Sequence, residues 1–173
     1  MVGVSLSRWS MSYFAAALVA LLAAEIMMAA GFGFPAVAAA SPDTLILVHV
    51  VAIGWLSLLM CGALLQFLPV LVAQPLHSNV LAVPALVSLI PGLAALILAF
   101  LQLGGRIELG APCFTAAAIL LSLGFTLVLY NLVRTMIASK TVPLPAWFVA
   151  AGLASVVATV TLGVIFSLVL GGV

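Results

Sequence analysis

Residues 44–73 read TLILVHVVAIGWLSLLMCGALLQFLPVLVA, with no Asp, Glu, Lys or Arg and a single histidine, His49. As a helix rising about 1.5 Å per residue the stretch would run about 45 Å, well past the roughly 30 Å hydrocarbon core of a bilayer. No period-two alternation of apolar and polar residues marks it as a barrel strand. In hydrocarbon each backbone amide must then be satisfied inside its own segment, so a transmembrane α-helix is predicted.

The flanking sequence repeats this character. Of 173 residues, 68% are apolar and only seven are charged: Arg8, Glu25, Asp43, Arg106, Glu108, Arg134 and Lys140. A soluble domain carries roughly a quarter of its residues as charges, and 4% excludes a disordered chain, a nucleic-acid binder and a cytosolic enzyme. The lipid bilayer is the expected surrounding. Apolar runs divided by turn-forming residues predict five spans, at 11–34, 44–73, 80–103, 112–137 and 145–170, forming one all-α transmembrane helix bundle over 1–173. The connections at 35–43, 74–79, 104–110 and 138–144 hold most of the charges and several prolines and glycines.

Arg8 before an apolar run, with Ala38, Ala39 and Ala40 preceding Ser41, has features of a cleaved leader. The run is longer than a usual leader core and contains Glu25, so it is read as the first span. Arg8, Arg134 and Lys140 fall on one side of the predicted topology and Arg106 on the other. The positive-inside rule then puts the amino terminus in the cytoplasm and the carboxyl end outside, with a bacterial inner membrane as the expected location.

Residues Ser155, Thr159, Gly163 and Ser167 recur every fourth position in the last span, and Gly152 shares their side. Small residues at that spacing let backbones approach, within one chain or between chains. Ala16, Ala20 and Ala24 form a weaker stripe on the first span, and Pro91-Gly92 is expected to bend the third. Cys61 and Cys113 stand alone in apolar runs and read as small buried hydrophobes.

An ionisable group in hydrocarbon costs about 2.5–3.5 kcal/mol on insertion scales, which makes Glu25 and His49 the residues that insertion alone would not select. His49 is predicted roughly 8 Å deep from the outer side and Glu25 roughly 14 Å deep, on antiparallel neighbours. His77 follows Pro75 in a turn and would lie about 42 Å from His49 along a continuous helix, too far to share a metal. Two readings of His49 stand side by side: an interfacial ring bonded to Asp43, Thr44 or water, and an axial ligand to haem iron in an apolar slot between helices. Glu25 reads as a proton-relay carboxyl, a partner for a haem propionate, or an acid kept neutral by a backbone carbonyl.

The second span places His49 at its outer start, Gly62-Ala63 in its interior and Gln66-Phe67-Leu68-Pro69 at its inner end. In this it resembles the second helix of the haem-copper oxidase subunit I superfamily, including the nitric-oxide-reductase branch. The resemblance covers about 30 residues, and the first three spans more loosely. It implies haem b as cofactor, His49 as an iron ligand, and Trp55, Met60, Phe67 and Glu25 as candidate cofactor neighbours. The family's second low-spin ligand, its copper-binding histidines and its high-spin ligand come from later helices, outside these 173 residues. Oxygen or nitric oxide reduction on this chain alone is therefore excluded, and no complete catalytic centre is expected.

What the resemblance leaves is a haem-binding protein for electron transfer or gas-ligand sensing. Two copies related by a two-fold axis along the membrane normal would put two His49 rings at equal depth on one haem. Another subunit supplying the ligand, or a five-coordinate haem with an open face, would serve equally. The competing class is a structural or assembly subunit of a larger membrane complex, docking through the last span. A carrier built on Glu25 is the weakest class, since no second intramembrane titratable group lies in evident reach.

Overall fold

The computed structural model describes residues 8–140 and 142–172. Among them there is no strand, and five helices are long and apolar enough to cross a membrane. The first is α1 (Arg8–Ala29). The second span, Pro42–Leu71, is continuous but composite: α2 (Pro42–His49), a π-helical segment (Val50–Ser57) and α3 (Leu58–Leu71). Then follow α4 (Ala82–Leu103), α5 (Cys113–Ile137) and α6 (Leu144–Leu170).

Local chemistry sets the ends of the second span. Ser41 caps α2, its hydroxyl accepting the Thr44 N–H at 3.3 Å, and Pro42 occupies the first turn, where its missing donor costs nothing. At the far end the Gln74 N–H donates to the Pro69 carbonyl at 3.0 Å while Ala73 turns left-handed at φ 50°, a closure usually given to glycine. Where α4 contains Pro84 and Pro91 it still runs unbroken. Pro84 lies in its first turn, and Gly92 brings the backbone against α5, where an added Cβ would stand 2.9 Å from the Leu121 side chain.

Polar contacts at the loops establish the up-and-down order. At one end Arg106 pairs with Asp43, joining the first turn of α2 to the turn after α4. At the opposite end the Ser78 N–H donates to Asn131 Oδ1 at 2.9 Å, Asn131 Nδ2 donates to the Ser78 carbonyl at 2.8 Å, and the His77 N–H donates to Thr135 Oγ1 at 3.0 Å. These three bonds seat the α3–α4 turn on the last turns of α5. Ser139 Oγ adds a bond to the Val72 carbonyl at 3.0 Å.

The core lies between α1, the second span, α4 and α5. Tyr13 is fully buried and donates its hydroxyl to the Ala82 carbonyl at 2.9 Å, tying α1 to the start of α4. The α1 backbone approaches the second span at two glycines: a Cβ on Gly54 would sit 2.8 Å from Ala20 Cβ, and one on Gly62 2.8 Å from Tyr13 Cβ. Helices α4 and α5 form the most extensive pair, with Gly124 closed against Leu89. By contrast α6 is peripheral, packing mainly on α5, and only Ala146 and Leu153 are buried along it.

Of the two settings expected for the small-residue stripe of α6, within one chain or between chains, the chain itself does not supply the first. An added Cβ at Gly152 or Gly163 would meet nothing within 4 Å, so this stripe makes no close helix contact within the chain. Sequence alone could not tell a packed stripe from one facing open space. The cysteines are as expected, Cys61 and Cys113 being free and buried. The first span differs at its end: apolar sequence continues to Phe34, yet the helix stops at Ala29, because Gly31 and Gly33 take φ of 75° and 84°.

Candidate functional site

The loose seat of α6 leaves a lengthwise groove between it, the second span and α5. Two cavities make it up, of about 600 Å³ and about 440 Å³, and they share Ser57, Phe125 and Val156. The larger contains His49, and its volume falls within the roughly 300–1,000 Å³ of small-molecule and cofactor sites. Its walls are mostly aliphatic and aromatic, the other polar members being Ser57, Ser122, Thr159 and Ser167.

His49 sits at the junction of α2 and the π-helical segment and is half-buried. Its Nδ1 lies 2.7 Å from the Leu45 carbonyl oxygen. A carbonyl only accepts, so Nδ1 carries the proton and donates it. In the neutral ring the lone pair is then on Nε2, and the anchored Nδ1 fixes the ring's orientation, as a partner of a metal-ligating histidine does. Phe100 supports the imidazole, with ring centroids 5.1 Å apart, and Phe114 meets the edge of Phe100 at 5.5 Å. Both phenyl rings line the cavity.

The π-helical stretch that follows His49 widens the helix by bonding each amide to the fifth residue back; at its end the Leu58 N–H reaches the Ile53 carbonyl. Ser57 Oγ donates to the Ala52 carbonyl at 2.8 Å across the same spacing. Such segments occur frequently at functional sites. Here the altered pitch puts His49, Ala52, Ile53 and Ser57 on the cavity wall.

Ser57 and Thr159 direct their hydroxyls to carbonyls of their own helices. Ser122 does not: its Oγ is buried and makes no hydrogen bond. A buried, unpaired hydroxyl carries an unmet desolvation cost of about 1–3 kcal/mol, and this one lines the cavity that holds His49.

The remaining sequence candidates lie elsewhere. Met60 and Phe67 are 55% and 68% exposed and are not among the residues of the larger cavity; Met60 lines the smaller one. Trp55 is half-buried against the core on another side of the second span. Glu25 is exposed, four residues before the end of α1, which is about 6 Å from that end rather than 14 Å. It is not among the residues of the larger cavity. His77 is exposed in its turn, its ring roughly perpendicular to that of Tyr130 with centroids 5.6 Å apart.

Phe100, Phe114, Ser122 and Gly163 are cavity residues that sequence reading assigned to no site. Ser122 is the one serine of α5, whose other hydroxyls are those of Thr115, Thr126, Tyr130 and Thr135, so nothing in the sequence marks it out. Among the described residues no group of three or more His, Cys, Asp or Glu could hold a metal ion. A porphyrin brings its own equatorial nitrogens and asks the protein only for axial ligands and an apolar slot. No family model matches the chain, and neither a curated protein nor a solved structure does.

Proposed function

We propose that this chain is a b-type haem-binding integral membrane protein in which His49 supplies an axial ligand. One observation carries the reading: an imidazole anchored through Nδ1 on the Leu45 carbonyl, with Nε2 left to coordinate, in a membrane-embedded apolar cavity of cofactor size. Haem bound there supplies a centre for one-electron transfer or for a gas ligand. The chain's own part is to fix the imidazole plane, support it with Phe100 and keep bulk water from the iron with aliphatic walls. Arg106, paired with Asp43, is the basic side chain at this end of the bundle. Asp43 precedes His49 by six residues, about 9 Å along the helix, so Arg106 is the chain's candidate for a haem carboxylate.

The proposed setting is a bacterial inner membrane, with the amino terminus in the cytoplasm and the His49 end outside. A homodimer or a second membrane subunit is the proposed assembly. Purified wild-type protein is expected to show a Soret band that His49→Ala abolishes. Met60→Ala and Phe67→Ala, on residues outside the larger cavity, are expected to retain it. Loss of the band in all three variants alike would contradict the assignment.

A second reading has its own observation. Helix α6 is exposed along most of its length, and Gly152 and Gly163 present open backbone. A structural subunit whose partner helix fills the groove would bury that surface, and would purify colourless with the partner attached.

A further inference from the structure

Arg134 is a cation without a carboxylate. All three acids of the chain stand at the opposite end of the bundle: Asp43 pairs with Arg106, Glu108 follows in the same loop, and Glu25 lies in the last turns of α1, ahead of the Phe32 ring that Arg106 covers at 5.5 Å. Among the described residues Arg106 with Asp43 is the only ion pair.

Arg134 is nonetheless held in place. Its guanidinium carbon stands 5.9 Å from the centre of the Tyr130 ring, one turn earlier on α5, and the His77 ring meets that phenol from the α3–α4 turn with centroids 5.6 Å apart. The turn itself is fastened by the bond from the His77 N–H to Thr135 and the clasp of Asn131 on Ser78. Imidazole, phenol and guanidinium thus form one row from two elements. Arg134 is three residues from the end of α5 at Ile137, about 4.5 Å along the axis, and tyrosine is favoured at that headgroup level.

Deeper along α5 the row continues as an apolar strip. Ile119, Leu123 and Tyr130 are exposed and succeed one another at four and seven residues, with Arg134 four further on, so all share one helix face. The groove lies on another face, lined by Phe125, Val128 and Leu132.

We propose that Arg134, Tyr130 and His77 form a binding site for an anionic phospholipid, its phosphate on the guanidinium and an acyl chain along Leu123 and Ile119. A guanidinium offers a planar fork that matches phosphate oxygens in pairs, and a ring under it holds the plane. A soluble anion would use only the cation. A phospholipid uses the cation and the strip together, which is what selects a lipid as the occupant. The site is independent of haem.

The test titrates detergent-purified protein with dioleoylphosphatidylglycerol, with dioleoylphosphatidylcholine and with inorganic phosphate, reading the unfolding midpoint and the lipid retained in native mass spectra. Only phosphatidylglycerol is expected to raise the midpoint and stay bound. Arg134→Gln should weaken its apparent affinity about fivefold, the worth of one basic side chain near a membrane surface. Arg134→Lys and Tyr130→Leu should fall between, and Lys140→Gln, a cation at the same end outside the row, should bind as wild type does. Equal midpoints without lipid report that the variants are folded; if Arg134→Gln is not, Arg134→Lys and Tyr130→Leu make the comparison.

Equal weakening by Arg134→Gln and Lys140→Gln would overturn the proposal, because diffuse charge then does the binding. Equal retention of phosphatidylcholine would overturn it too, leaving acyl contact alone. A midpoint raised as far by inorganic phosphate would assign the site to a free anion, and a wild type that phosphatidylglycerol does not stabilise would have no such site.

Discussion

At His49 one carbonyl decides what the imidazole can do. Bonding Nδ1 to Leu45 spends the nitrogen nearer the backbone and reserves the farther one, so the same contact that satisfies a polar group in hydrocarbon prepares a ligand. Of the side chains first considered as partners for an interfacial ring, Thr44 Oγ1 donates to the Ala38 carbonyl and Asp43 pairs with Arg106, and the ring bonds to the Leu45 carbonyl. That choice of partner was illegible beforehand, because it depends on the rotation of α2. Elsewhere single side chains have structural work. Asn131 is almost wholly buried and closes a two-bond clasp on Ser78. Asn131→Ala would leave the partly buried N–H and carbonyl of Ser78 unpaired and is expected to cost about 1–2 kcal/mol of stability, measurable as a lower midpoint of unfolding in detergent, with haem content unchanged below that transition.

At the scale of the helix, spans were readable wherever hydropathy and turn chemistry agree. Expected 80–103 and 112–137 became Ala82–Leu103 and Cys113–Ile137, and expected 145–170 became Leu144–Leu170. The end of α1 was missed because Phe32 and Phe34 stay apolar while Gly31 and Gly33, one before each, turn the backbone. The π-helical segment had no sequence mark, since its residues are as apolar as those around it. Glycines differ in the same way: Gly62 and Gly163 look alike in sequence, yet one faces Tyr13 and the other open space. Gly62→Leu should therefore destabilise the bundle by about 1–3 kcal/mol through overpacking. Gly163→Leu should fold normally but fill the cavity, so that purified protein has lost most of its Soret absorbance while its melting curve is unchanged. A Gly163→Leu protein with full pigment would place the haem elsewhere.

Over the whole molecule, charge is sorted by end. Arg8, Arg134 and Lys140 belong to the end where the α3–α4 turn meets α5, whereas Asp43, Arg106 and Glu108 belong to the His49 end. Composition was enough to read a five-helix membrane bundle, because seven charges cannot cover 173 residues in water. The groove was not legible, as it depends on how far α6 stands from α5, and close-packed and loosely packed apolar helices have the same hydropathy. The proposed orientation has a direct check, since both native cysteines are buried. A cysteine placed at Glu108 should react with a membrane-impermeant maleimide on intact cells. One placed at Lys140 should react only after permeabilisation.

Haem content of the purified protein bears on all of this at once. A pyridine haemochrome assay on wild type and on His49→Ala, each shown to be folded by its melting transition, should find near-stoichiometric b-type haem in the first and essentially none in the second. Equal haem in the two proteins, or none in a folded wild type supplied with haem, would contradict the role assigned to His49.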